Sequence, residues 1–175
     1  TGKPIAPLAP AFNSERFTDA AKTEKWFRRN CNDVMGRECT AAEKAEDVLE
    51  DGQRGEARPA VRRRAAEEAG RAPEVAIDLL PVLADPDPTV VEAAAWACGE
   101  RNPATPGTVA ALSALAVDHE DPLCREAAVA ALGAIGAEDG LAAILAATTD
   151  KPAVRRRAVI ALAPFAPTRS QQMID

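Results

Sequence analysis

The sequence predicts an all-α fold, a short solenoid of antiparallel helix pairs with a separate helical segment at its start. Alanine supplies much of the 47% hydrophobic content, only 3% of the 175 residues are aromatic, and tyrosine is absent. Alanine has the highest helix propensity and little bulk, which favours helices whose backbones lie close together. No alternating run of β-branched and aromatic residues predicts a strand. The decisive observation is an internal repeat, because a fixed period indicates a stacked architecture.

The second half of the chain contains this repeat, visible when four segments are aligned from a proline. They start at Pro59, Pro88, Pro122 and Pro152, so they are separated by 29, 34 and 30 residues. Proline is favoured in the first turn of a helix, aspartate before it is a common cap, and glycine often ends a helix. The repeat therefore predicts four helices that begin at these prolines. Caps are predicted at Asp87 and Asp121, and helix ends at Gly70, Gly99 and Gly133.

One face of the four helices is predicted to be buried. Residues two, six and ten positions after each proline lie on one side of a helix, and almost all of them are small and apolar. Cys98 and Cys124 belong to this set as small buried hydrophobes. The predicted core residues are Val61, Val90, Cys124 and Val154, then Ala65, Ala94, Ala128 and Ala158, then Ala69, Cys98, Leu132 and Leu162.

Three stretches between the repeated segments predict partner helices. They cover residues 74–84, 107–117 and 138–149, and Pro81 is expected to bend or shorten the first. An arginine follows the first core position in three copies, whereas Val91 interrupts this column. We expect structural ion pairs between these arginines and acidic residues of neighbouring repeats. The arginines are Arg62, Arg125 and Arg155, and the expected partners are Asp85, Asp118 and Asp150.

The recurring pattern D-P-x-V-R-x-x-A-x-x-A-L-G resembles the second helix of a HEAT repeat, and the resemblance covers residues 56–165. It implies a HEAT-like α-solenoid whose stacked helix pairs form an extended concave surface. Armadillo-like repeats and the HEAT-like repeats of bilin lyases share this chemistry. The last repeat lacks the polar helix that usually covers the end of a solenoid, so self-association through it is expected.

The remaining faces of the repeated helices are predicted to line the concave surface and to bind a protein or peptide. Trp96 would be an aromatic anchor between two arginine clusters, since Trp and Arg often dominate the energetics of protein interfaces. The alternative interpretation is a solvated arginine face, with Trp96 packed against its neighbours. The predicted partner-binding residues are Arg63, Arg64, Glu92, Trp96, Glu126, Arg156 and Arg157.

The first 50 residues differ in composition. Their proline-rich start predicts an extended loop, followed by a helix that Thr18 would cap. Thr40 and Glu43 have the spacing of a capping box, which predicts the start of another helix. The chain is therefore divided into a helical segment at 1–50, a linker at 51–58, the repeats at 59–165 and a tail at 166–175.

Residues 1–46, above all the string KWFRRNC…GREC, resemble the C-terminal half of SHP-type class I cytochromes c. The resemblance implies that Asn30 is an axial ligand of haem iron and that Cys31 and Cys39 form a disulfide. A c-type haem is attached through C-x-x-C-H, which these 175 residues do not contain. In that family the motif lies upstream of where this sequence starts.

Several function classes are disfavoured. The net charge of −6 argues against general nucleic-acid binding. No apolar run approaches the roughly 18 residues of a membrane span, and the start is unlike a signal peptide. No catalytic triad or phosphate-binding loop occurs, and His119 is expected at a helix junction in a capping or solvated role. Cytoplasmic and periplasmic locations stay open, the latter if the cytochrome resemblance holds.

The leading hypothesis is a non-enzymatic interaction or scaffold module that needs no cofactor. The alternative is a haem-binding, electron-transfer or gas-binding relative of cytochrome c whose proximal ligand is missing from this chain. A bilin-lyase-like protein that binds a tetrapyrrole without iron is a third hypothesis.

Overall fold

The computed structural model describes residues 20–53, 58–101 and 103–166. Every regular element in those ranges is a helix, so the all-α prediction is confirmed. Thr18 lies outside the described residues. The α-helices are α1 (Ala20–Met35), α2 (Ala41–Gln53), α3 (Pro59–Arg71), α4 (Pro88–Gly99), α5 (Thr108–Asp118), α6 (Pro122–Ile135), α7 (Leu141–Ala147) and α8 (Pro152–Ala161). Short 3-10 turns cover Pro81–Ala84, Glu138–Gly140 and Ala163–Phe165.

The four repeat helices, α3, α4, α6 and α8, begin at the predicted prolines. Asp87 accepts a hydrogen bond from the backbone amide of Thr89 at 2.9 Å. Asp121 accepts one from the amide of Leu123 at 2.8 Å. Both predicted caps are confirmed, and each satisfies an amide that has no partner within its own helix.

Each repeat helix packs against the next, and α5 and α7 pack against α6 and α8 to complete helix pairs. All but two of the predicted core residues are buried. The exceptions are Val61 in the first turn of α3 and Leu162 directly after α8, which are half-buried. A continuous apolar core runs from Phe27 in α1 to Phe165 after α8.

Gly99 is the last residue of α4, as predicted, whereas α3 and α6 continue past Gly70 and Gly133, which corrects the other two predicted helix ends. None of these three glycines has the positive φ angle of a left-handed helix cap. A Cβ atom built on Gly133 would lie 2.8 Å from the Cα of Ala161. The glycines at 70 and 99 have the same close contact with Ala97 and Ala131, each at 3.0 Å. Glycine therefore lets neighbouring repeat helices approach backbone to backbone.

The helix predicted at 74–84 is also wrong, since only Pro81–Ala84 forms a short 3-10 turn. Pro81 has no N–H to donate within a helix. The buried Arg101 guanidinium instead binds the irregular chain by donating to the carbonyl oxygen of Val75 at 2.7 Å. It also donates to the carbonyl oxygen of Ala69 in α3 at 3.0 Å. The other two partner helices are present as α5 and α7, the latter after a 3-10 turn.

The N-terminal helices form a hairpin that continues the solenoid, because α2 packs against α3. Gly36, with φ of +68°, ends α1 in the left-handed conformation that favours glycine. The capping box is confirmed: the Thr40 amide donates to the Glu43 carboxylate at 2.8 Å, and the Glu43 amide donates to Thr40 Oγ1 at 3.2 Å. Residues 51–53 of the predicted linker belong to α2, and 54–57 lie outside the described residues. No helix in the described ranges is long and apolar enough to cross a membrane.

Candidate protein-binding groove

A groove of about 370 Å³ crosses α4, α6 and α8. Alanines of α6, including Ala127 and Ala130, line it together with Trp96 and Leu123. Small lining residues leave room for a ligand while the helices stay closely packed. We call this surface the repeat groove.

Trp96 has two kinds of contact. Its side chain is 40% exposed and borders the repeat groove. Its ring also covers Gly70, where a Cβ atom would lie 2.4 Å from the ring. The structure thus combines the two sequence interpretations, because one part of the indole packs against α3 and another faces the groove.

The repeat groove carries more negative than positive charge. Glu92, Glu100 and Glu126 line it together with Arg157. Arg157 donates to Glu126 at 3.4 Å, so its charge is shared. In the described part of the chain, Glu92 and Glu100 have no ion-pair partner. Within the repeat groove, carboxylates therefore outnumber the arginines that were expected beside Trp96.

The other predicted arginines are placed differently. Arg63 lines a neighbouring cleft between α3 and α4 and lies 3.5 Å from Glu67. Arg64 pairs with Glu68 at 2.8 Å, on the side that faces α2. Arg156 is exposed on α8 and does not line the repeat groove. The repeat groove therefore brings together four predicted residues, Glu92, Trp96, Glu126 and Arg157. The neighbouring cleft places Arg63 beside two of them, Glu92 and Trp96.

Glu100 and Leu123 are groove residues that the sequence reasoning missed. Leu123 is 54% exposed although it is large and apolar. Glu100 follows the last residue of α4, outside the helical columns used for the prediction. The sequence did contain a signal for Leu123. This large apolar residue directly follows Pro122, a position outside the predicted buried face, so its exposure could have been predicted.

Two bidentate ion pairs link a repeat helix to the loop before the next repeat helix. Arg62 contacts Asp85 at 2.7 and 2.8 Å. Arg125 contacts Asp150 at 2.7 and 2.9 Å and, through hydrogen bonding, lowers the pKa of that carboxyl to about 2. These pairs were predicted as structural. Arg155 has no ion-pair partner among the described residues, so the pair predicted for it is absent there.

The two cysteines of the repeats are core residues. Cys98 and Cys124 are buried, and burial raises the pKa of each thiol to about 11. A thiol with so high a pKa is protonated at neutral pH and is a poor nucleophile.

The N-terminal hairpin places Asn30 and the other two cysteines close together. The Asn30 side-chain amide donates to the Trp26 carbonyl oxygen at 2.9 Å, and Asn30 is half-buried. Cys31 and Cys39 are joined by a disulfide, with their Cα atoms 5.5 Å apart. His119, the single histidine of the sequence, lies between α5 and α6, where its Nδ1 accepts from the Asp121 amide at 3.0 Å.

Comparison with known proteins separates the two parts of the chain. A family model described as HEAT repeats matches residues 77–163. These residues are HEAT repeats. A second model, a domain of unknown function (DUF1924), matches residues 1–50. No solved structure matches the chain.

The N-terminal residues are similar to two cytochromes. One is a cytochrome c-type protein SHP of Cereibacter sphaeroides, 63% identical over 46 residues, which are 26% of this chain and 36% of that protein. The other is a cytochrome c'' of Methylophilus methylotrophus, 53% identical over 45 residues, which are 26% of this chain and 31% of that protein. The chain thus spans about a third of the length of these curated relatives.

The described residues of this chain do not by themselves form a haem iron site. Asn30 offers one weak oxygen ligand, and His119 lies in the HEAT repeats with its Nδ1 already accepting a hydrogen bond. No group of three or more metal-ligating side chains occurs in the described ranges. The apolar cleft between α1, α2 and α3, of about 500 Å³, does not have Asn30 among its lining residues.

Proposed function

We propose that this protein is a non-enzymatic interaction module whose HEAT repeats bind a segment of a partner protein in the repeat groove. The observation that carries the proposal is Trp96, which borders the groove with 40% of its surface exposed. Because α3 holds the other part of the indole, the ring is already ordered before binding. A pre-ordered aromatic side chain loses little conformational entropy on binding, and tryptophan is enriched at interface hot spots.

The chemistry of the groove favours a segment with apolar and basic side chains. Leu123, 54% exposed, offers apolar surface in the same groove as Trp96. The carboxylates of Glu92 and Glu100 offer negative charge without an ion-pair partner in the described ranges. Complementary charge selects partners and speeds their association. A lysine or arginine of the partner can also contact the Trp96 ring, since cations bind to the face of an indole.

Defined peptide probes test this proposal. Fluorescently labelled peptides that alternate leucine with lysine, or leucine with glutamate, are titrated with the full chain, and the anisotropy is recorded. We expect saturable binding of the lysine peptide only, and loss of that binding in Trp96→Ala. The double variant Glu92→Gln with Glu100→Gln should weaken binding without disturbing the packing of Trp96.

The matched control is Glu138→Gln, which removes an exposed carboxylate from the turn before α7, outside the groove. It should leave the affinity unchanged. Circular dichroism of each variant checks that the helices persist. Equal binding of the two peptides, no binding of either, or an equal effect of Glu138→Gln would each overturn the proposal.

Similarity to two cytochromes supports a second candidate, a haem-binding or electron-transfer protein that uses Asn30 and obtains the opposing ligand from outside these residues. The test is the visible absorption spectrum with added haem. A Soret band that shifts on reduction, and that changes in Asn30→Ala, is the expected result for this candidate. A spectrum of free haem alone contradicts it, and binding of an iron-free tetrapyrrole supports the bilin-lyase-like hypothesis instead.

For location, we propose an oxidising compartment such as the bacterial periplasm. The Cys31–Cys39 disulfide supports this, because disulfides persist in such compartments and are rare in the cytosol.

A further inference from the structure

Each repeat helix has a face that points toward the next repeat helix. It contains the residues three, seven and eleven positions after the N-terminal proline, which lie one helical turn apart on one side. We call it the stacking face. Its members are Arg62, Ala66 and Gly70 in α3; Val91, Ala95 and Gly99 in α4; Arg125, Val129 and Gly133 in α6; and Arg155, Val159 and Ala163 in and after α8.

Within the solenoid, every stacking face is covered in the same way. The middle residues Ala66, Ala95 and Val129 are 0% exposed. The glycines contact the backbone of the following repeat helix. Two of the three faces also use an arginine that binds a loop aspartate, as Arg62 binds Asp85. The three internal interfaces thus show that a stacking face is covered by the backbone of the following repeat helix and, in two of them, by a loop aspartate.

The stacking face of α8 has the same residue types but is open. Val159 is 62% exposed, although its counterpart in α6 is completely buried. Arg155 is exposed and has no ion-pair partner in the described ranges, whereas its counterparts in α3 and α6 each bind an aspartate. Ala163 occupies the position of the glycines and is also exposed.

The charge around this face is positive. Lys151 directly precedes α8, Arg155 lies on the stacking face, and the helix contains no acidic residue. Two copies that met through α8 would bring these cations together, which disfavours a symmetric dimer. A head-to-tail stack of copies is disfavoured as well, because α2 already packs against the first repeat helix.

We propose that the stacking face of α8 binds an acidic helix pair of the HEAT type. A loop carboxylate of that partner pairs with Arg155, as Asp150 pairs with Arg125, and its helix covers Val159. This surface is distinct from the repeat groove, so the inference does not depend on the function proposed above.

The chain itself supplies a suitable probe, a peptide of residues 107–136 that spans α5 and α6. It carries four acidic residues and one basic residue, and its interhelical loop contains Asp118. In α4, the position that corresponds to Arg62 and Arg125 is Val91, so the stacking face of α4 has no arginine that could bind this loop. Cys124→Ala in the peptide prevents disulfide exchange. Labelled peptide is titrated with the full chain and the anisotropy is recorded.

We expect saturable binding that weakens about tenfold in Arg155→Ala, the effect of losing roughly one charge-assisted contact. Asp118→Asn in the peptide should weaken binding to a similar extent, and Val159→Asp should abolish it. Arg156→Ala is the matched control. This neighbouring arginine has the same position in its repeat as Glu126, which does not belong to the stacking face.

The proposal is overturned if the peptide does not bind, or if Arg155→Ala and Arg156→Ala have equal effects. Sedimentation of the full chain alone provides a second measurement. Self-association that is lost in Val159→Asp would identify a second copy as the occupant and would also overturn the proposal. Because Arg155 and Val159 are exposed, their variants should keep the helical circular dichroism of the parent chain.

Discussion

The N-terminal hairpin and the HEAT repeats bury helices of similar length by different means. In the hairpin, the contacts occur once: a disulfide, an edge-to-face pair of Trp26 and Phe27 with ring centroids 5.1 Å apart, and exposed ion pairs. In the repeats, one interface recurs, with small residues in backbone contact and arginines bound to loop aspartates. A recurring interface is visible by aligning the chain with itself, whereas contacts that occur once become visible only through similar proteins.

The two regions nevertheless share one core. α2 packs against α3 in the place where another helix would precede the first repeat helix, and the apolar cluster is continuous across this junction. The hairpin therefore covers the beginning of the solenoid, while the face of α8 at the other end stays open.

The largest expected difference between the regions concerns their ion pairs. In Arg62→Ala the Asp85 carboxylate, whose side chain is 8% exposed, loses its bidentate partner. We expect a loss of about 3 kcal/mol in the free energy of unfolding, measured in urea. Arg37→Ala breaks the exposed pair with Glu43 and should have little effect. Equal losses in the two variants would contradict the assignment of buried ion pairs to the repeats.

Reduction of the Cys31–Cys39 disulfide should loosen the hairpin alone. The bond closes a loop with a sequence separation of 8, for which chain entropy predicts a stabilisation of about 2–3 kcal/mol. Hydrogen exchange with and without reductant measures the effect. Amides of α1 should exchange faster after reduction, and those of α6 should not. Faster exchange in α6 would show that the repeats depend on the hairpin.

Two glycine-to-alanine substitutions separate the effect of close helix packing on stability from the effect of backbone conformation. Gly133→Ala should gain up to about 1 kcal/mol of helix propensity but lose about 1–3 kcal/mol through overpacking, because its Cβ would lie 2.8 Å from the Ala161 Cα. We expect a lower melting temperature. In Gly36→Ala the new Cβ has nothing within 4 Å, so only the positive φ opposes it. A more stable Gly133→Ala protein would be inconsistent with backbone contact between α6 and α8.

The smallest effect expected is on the acid stability of the last repeat. Hydrogen bonding from Arg125 lowers the pKa of Asp150 from 3.8 to about 2, so the ionised form is favoured in the folded state. This contribution is present above pH 3.8 and is lost as the pH falls toward 2. The stability of Arg125→Ala, measured by urea unfolding, should therefore fall less over this window. Parallel curves for the two proteins would show that Asp150 does not contribute.

The local signals in the sequence were reliable because they act within a few residues. Proline starts, the aspartate caps, the Thr40–Glu43 capping box and the helical periodicity of the core all depend on neighbours along the chain. Predictions failed where a distant residue decided the outcome. Arg101 binds the carbonyl oxygen of Val75, which a helix at 74–84 would have used, and nothing near that segment signals this contact.

The sequence by itself determined that this protein is helical, that four of its helices repeat, and which of their faces is buried. Tertiary structure alone decided that the repeat glycines serve close packing, that glutamates outnumber arginines in the repeat groove beside Trp96, and that Arg155 is left without a partner in the described ranges. The physical reason is that helix formation and capping use contacts a few residues apart. The charge of a groove and the covering of a helix face depend on which residues lie opposite in space.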